Sequence, residues 1–197
     1  MFKTIGYQTL EDRFEQGQHL EDLEINGPYQ ARRRNAWLGT GYYFWDDDIL
    51  LAKNWGPRAR YGSYVICAAQ LDIDESCFDL LGSGSHRRQL EEVFHDMCDD
   101  DEINNERITV AYIIEHLREM DAFPYDAIRA YGENSFISVS DEDYEDFVQL
   151  AIGKMARVNL HPEVQICLVN QDSLNCRNFM VVYPDEYKNP DAEMLYF

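Results

Sequence analysis

The spacing of apolar and polar positions changes several times along this chain, and each change predicts an element. Lys3 to about Thr9 fits a short first strand. From Leu10 to about Leu23, Leu10, Phe14 and Leu20 fall roughly on one face at helical spacing, which predicts an amphipathic helix broken by Asn26-Gly27-Pro28. Tyr42-Tyr43-Phe44-Trp45 is a strongly β-prone run. Asp46-Asp47-Asp48 then supplies a cap and negative charge for a helix that Gly56-Pro57 should end. Ser63 to Leu71 reads as a buried strand. Ser85 to Met120 is helical with one interruption, and Ile108 to Leu117 is its better half. Tyr125 to Ala130 predicts a short strand, Asp141 to Met155 a helix capped by Ser140, and Val164 to Val169 and Asn178 to Tyr183 the last strands.

Short strands interrupted by helices, without regular alternation, predict an α+β fold rather than a doubly wound sheet. The chain has no internal repeat, so a single domain over residues 1–197 is expected, with an acidic helical insertion at about 83–120. A hydrophobic share of 45% and an aromatic share of 13% are enough for a sizeable core. The 17 Lys and Arg stand against 37 Asp and Glu, a net charge of −20. Such a surface repels phosphate backbones and anionic lipids, so general nucleic-acid binding and membrane-surface binding are not expected. Residues 89–106 hold eight acids and no Lys or Arg, the composition of a solvated helix end and loop. No apolar window long enough to span a bilayer occurs, and the N-terminus lacks a signal-peptide pattern. Five cysteines with no CxxC predict free thiols and a reducing, cytoplasmic setting.

His86, His95, Cys98 and His116 match no zinc-ligand spacing, so no metal site is expected. Gly82-Ser83-Gly84-Ser85 lacks the spacing of a nucleophile elbow, and no phosphate-binding P-loop is present. Gly39-Thr40-Gly41 precedes a strand rather than a helix, which excludes a Rossmann fingerprint. The informative window is Trp37 to Trp55, which holds all three tryptophans. Its two glycines permit close approach to another strand or to a ligand. Strand alternation puts Tyr43 and Trp45 on one side and Tyr42 and Phe44 on the other. One side can pack in the core while the other offers a flat ring to a planar ligand, although composition alone favours plain core packing.

Gly39-x-Gly41-Tyr42-Tyr43-Phe44-Trp45-Asp46, with Ala52 six residues after Asp46, resembles the second motif of the ADP-ribosyltransferase superfamily, in its poly(ADP-ribose) polymerase and diphtheria-toxin branch. In that family a tyrosine at the place of Tyr43 stacks on the nicotinamide of NAD. Tyr7-Gln8-Thr9 is similar in position to the family's first motif, with Tyr7 in place of its histidine. His161-Pro162-Glu163-Val164-Gln165-Ile166-Cys167-Leu168 is similar to its third, with Gln165 at the place of the catalytic glutamate and Glu163 two residues earlier.

The resemblance implies two small packed, mainly antiparallel sheets with helices around them. It also implies NAD as substrate, in ADP-ribosyl transfer to an acceptor such as a protein, or in NAD glycohydrolysis. Tyr7, Gln8, Thr9, Gly39, Gly41, Tyr43 and Arg33 would then hold NAD, and Glu163 and Gln165 would form the catalytic pair. Breaking the nicotinamide–ribose bond develops positive charge on the ribose, which a carboxylate stabilises and a glutamine cannot. Arg32-Arg33-Arg34 is the only basic cluster, placed to clamp a pyrophosphate or simply to pair with surface acids. The alternative function is a catalytically degenerate module that binds a nucleotide or a protein. A third reading is an interaction protein using its acidic region.

Overall fold

The computed structural model describes residues 1–14, 19–31, 36–100, 103, 105–132, 147–149 and 157–196. The strands in chain order are β1 (Phe2–Glu11), β2 (Tyr42–Asp46), β3 (Tyr64–Ile73), β4 (Cys77–Asp79), β5 (Ala127–Tyr131), β6 (Phe147–Gln149), β7 (Arg157–Asn159), β8 (Val164–Leu168) and β9 (Arg177–Tyr183). Seven of them form one sheet in the order β4-β5-β8-β2-β1-β3-β9, and β6 pairs with β7 apart from it. Every pairing is antiparallel except β4 with β5. The helices are α1 (Leu20–Asn26), α2 (Ile49–Arg58), α3 (Gly84–Cys98) and α4 (Val110–Glu119). The class is α+β, as the pattern predicted.

The expectation of two small packed sheets is corrected. β1 pairs with β3 along its whole length, from Phe2↔Ile73 to Glu11↔Tyr64, and with β2 at Gly6↔Asp46 and Tyr7↔Trp45. That short seam joins what would otherwise be two sheets into one.

Both faces of the sheet are covered, which explains the near-continuous apolar run of β3. Val65, Cys67, Ala69 and Leu71 face one core with Phe44, Ile166 and Leu23. Ile66 and Ala68 face the opposite core with Tyr7, Trp45 and Ala52. A third cluster, Leu38, Phe78, Ile114, Ile128 and Cys167, lies against α4 of the helical insertion. The alternation predicted for β2 is present, with Phe44 in the first cluster and Trp45 in the second. Asp48 caps α2 by accepting from the Leu50 and Leu51 amides, while Ser83 and Thr109 cap α3 and α4.

Other expectations fail for local reasons. Leu10 is strand, because β1 continues to Glu11 against Tyr64, and the helix begins only at Leu20. Leu10, Phe14 and Leu20 still pack against one core, reached from a strand end, a turn and a helix. Gly56 and Pro57 lie inside the last turn of α2, where Pro57 forfeits one amide donor and the helix ends at the next residue, Arg58. A Cβ at Gly56 would meet the Tyr64 ring, so that glycine serves packing. Of the helix expected over Asp141 to Met155, residues Phe147–Gln149 are a strand, and the rest lies outside the described residues. Among the described residues no helix is long and apolar enough to cross a membrane. None of the five cysteines is joined in a disulfide, and Cys67, Cys77 and Cys167 are buried.

Candidate functional site

β1 and β2 separate beyond the seam. They approach there because Gly6 has no side chain: a Cβ would come 2.8 Å from Leu71 Cδ1 and 2.9 Å from Phe44 Cβ. One residue on, the side chain of Gln8 takes the place of ladder hydrogen bonds. Its Nε2 donates to the carbonyls of Tyr29 (2.9 Å) and Tyr43 (3.2 Å), and its Oε1 accepts from the Tyr29 amide (2.8 Å). The separation leaves a cavity of about 210 Å³.

Tyr7, Gln8 and Thr9 of β1 line it together with Tyr43 of β2 and Gln165 of β8. Three motifs far apart in sequence thus meet at one place. All three tryptophans, Trp37, Trp45 and Trp55, line it as well, and Trp45 and Trp55 meet edge to face at 5.9 Å. Among the described residues the lining holds no Asp, Glu, Lys, Arg or His. The walls are aromatic and amide, the composition that grips a flat, uncharged ring.

Register fixes which side chains share a face. Tyr7 pairs with Trp45, Trp45 with Gln165, and Gln165 with Ala130, so one row crosses four strands. Gln165 is only 5% exposed, yet its Oε1 has no hydrogen-bond partner among the described residues. An amide oxygen buried and unpaired costs about 1–3 kcal/mol, so this acceptor calls for a donor.

The phenols are neutral and engaged. Tyr43 hydroxyl donates to the Gly39 carbonyl (2.7 Å) and accepts from the Leu38 amide (2.9 Å), and burial pushes its pKa well above the tyrosine range. Tyr7 hydroxyl lies 3.2 Å from that of Tyr196, and burial foremost, then that hydroxyl, raises it likewise. Thr9 Oγ1 donates to the Ala52 carbonyl at 2.6 Å.

Gly39, Gly41 and Glu163, expected at the site, are not among the residues that line the cavity. Gly39 and Gly41 shape the loop before β2: Gly39 has a left-handed φ of +83°, and a Cβ on Gly41 would collide with Cys167 Sγ and the Leu168 carbonyl. Glu163 does not face the cavity with Gln165. Its Oε1 accepts from Arg58 Nη1 at 2.9 Å, and its carbonyl accepts from the Gly132 amide. Arg58 at the end of α2 is thus an ion-pair partner of that carboxylate. Arg33, with Arg32 and Arg34, lies outside the described residues, although the flanking Ala31 and Ala36 line the cavity.

Spacing did not single out Trp37, Trp55, Tyr29 or Tyr61, which complete the wall. The crowding of all tryptophans into one window was the signal for two of them. Nothing in the local pattern marks Tyr29 or Tyr61. The four weak metal candidates are dispersed: His86 accepts from the Asp79 amide at 2.9 Å, and His116 stacks on Tyr112. Among the described residues no three His, Cys, Asp or Glu come together to hold a metal ion. No protein-family model matches the chain, and neither a curated protein nor a solved structure matches it, so the site's chemistry rests on its own geometry.

Proposed function

We propose that this chain is an ADP-ribosyltransferase-like binding module whose cavity takes the uncharged ring of a nucleotide, NAD being the first candidate, without cleaving it. One observation carries the reading: the unpaired Oε1 of Gln165 in an aromatic wall that, among the described residues, holds no charged side chain. A ring-bearing ligand with an N–H or O–H at its edge satisfies that oxygen and stacks against the tyrosine and tryptophan faces. Cleavage needs a net negative charge beside the ribose. Glu163 is the nearby carboxylate on the third motif, but it is not among the lining residues and lies 2.9 Å from a guanidinium that offsets its charge.

The test is calorimetry with NAD and with nicotinamide, alongside an assay of nicotinamide release. Saturable binding without release is the expected result. Release of nicotinamide by the wild type overturns the non-catalytic part, and absence of binding by either ligand overturns the site.

NAD-dependent ADP-ribosyl transfer or NAD glycohydrolysis is the second reading, favoured by the place of Glu163 two residues before Gln165. It requires Glu163 to leave Arg58, whose side chain is 49% exposed. Under that reading Arg58→Ala raises nicotinamide release and Glu163→Gln abolishes it, by roughly a hundredfold or more.

A further inference from the structure

We propose that Glu115 and Arg118, on the second helix of the acidic insertion, are positioning residues that hold Tyr43 at the ring site. The inference rests on the binding reading above and extends it to a part of the molecule that the motifs leave out.

The sequence places Gly39-Thr40-Gly41 just before β2, where no strand partner can satisfy the whole loop backbone. Gly41 pairs with Ala31, but Thr40 has no ladder neighbour. The helix α4 supplies what the sheet does not. Glu115 Oε1 accepts the Thr40 amide hydrogen, and Arg118 Nη1 donates to the Thr40 carbonyl at 2.8 Å. Both backbone groups of one loop residue are thus held from one helix. The two side chains are three residues apart on α4 and bridge each other at 3.4 Å, so they act as one unit. Bonds to ionised partners are stronger than those a neutral turn would make.

The loop transmits this hold to the cavity wall. Gly39, next to Thr40, accepts the Tyr43 hydroxyl hydrogen, and Leu38 donates its amide to the same oxygen. Leu38 is itself buried against Ile114 of α4. The helix therefore grips the loop by an apolar contact on one side of Gly39 and an ionic bracket on the other. Gly39 fits between them: its left-handed backbone disfavours other residues, and a Cβ there would come 2.6 Å from Glu115 Oε1. With its proton donated to Gly39 and its oxygen accepting from Leu38, the Tyr43 hydroxyl is tied to the loop and its ring is what the cavity wall offers. The plane of that ring is then set by where α4 holds residues 38–40. The chain of restraint runs from Glu115 and Arg118 to Thr40, on to Gly39 and Leu38, and so to Tyr43.

The test uses the full chain with Glu115→Ala, Arg118→Ala and the conservative Glu115→Gln, which keeps a neutral acceptor. Three quantities are read: amide exchange at Thr40, the NMR resonance of the Tyr43 phenol carbon without ligand, and the dissociation constant for nicotinamide. In both alanine variants Thr40 exchange should quicken by about tenfold or more, and the Tyr43 resonance should move. Nicotinamide binding should weaken by about tenfold, while Glu115→Gln recovers most of each change. Faster exchange at Thr40 with an unmoved Tyr43 resonance overturns the inference, because the clamp would then be purely structural. Unchanged exchange at Thr40 overturns it too. If wild-type protein binds no nicotinamide, the ring-site reading fails by itself, and the Tyr43 resonance still decides whether α4 positions it.

Discussion

The two edges of β1 are treated very differently by the same ten residues. Toward β3 the strand is zipped from end to end, Phe2↔Ile73 to Glu11↔Tyr64. Toward β2 it pairs at Gly6 and Tyr7 and then leaves, with Gln8 bridging the gap by its side chain. The zipped edge is built from backbone pairing above buried Val65, Ile66, Cys67 and Ala68, and it is stable by repetition. The open edge holds fewer groups, each with a specific partner, and it contains the cavity. The candidate site in this molecule sits where regular pairing has been given up.

The sharpest way to break the open edge is Gln8→Ala. It strands the Tyr29 amide and the Tyr29 and Tyr43 carbonyls in a buried place, since Gln8 is 5% exposed. A loss of about 2–4 kcal/mol is expected. Urea unfolding of wild type and mutant measures it. A loss below about 0.5 kcal/mol would mean that the two strands are held apart by something else.

The zipped edge yields a smaller effect with a different signature. Asp72, facing Lys3 across β1 and β3, accepts from Asn175 Nδ2 at 2.7 Å and Arg177 Nη2 at 3.0 Å. Those bonds, that from Asn175 foremost, lower its pKa below the ordinary carboxylate range. A depressed folded value means stability that is present above the unfolded pKa and lost as pH falls through the folded one. Asp72→Asn should therefore cost about 1 kcal/mol at neutral pH and flatten the acid limb of the stability curve. Chemical unfolding at several pH values below neutrality checks both, and an unaltered acid limb would remove Asp72 as its source.

The strands of the zipped edge were legible in the sequence, and so were the motif residues of the open edge, but not the register that brings them together. β3 declares itself by an apolar run that suits both covered faces, and the two helices of the insertion by their period. Leu10, Phe14 and Leu20 mimic a helix because one core collects them from three kinds of backbone. At the site, the glycine–tyrosine motif led to Tyr43, and strand alternation put Trp45 beside it. The row Tyr7, Trp45, Gln165 depends on long-range register, which no local spacing encodes. The same holds for Glu163, whose partner Arg58 lies 105 residues away and takes it out of the pair expected with Gln165. The grip of α4 on Thr40 was invisible for the same reason, since a charged helix face reads as solvated until its neighbour is known.

The most direct measurement is a pair of thermal melts, with and without NAD, on wild type and Gln165→Leu. Leucine keeps the bulk of Gln165 and removes its unpaired oxygen, so the ligand-free variant should melt no lower than wild type. A ligand that binds only the folded protein raises its melting temperature, so wild type should shift upward with NAD and Gln165→Leu should shift far less. Equal shifts in the two proteins, or a ligand-free variant that melts several degrees below wild type, would contradict a site in which Gln165 waits for a ligand's donor.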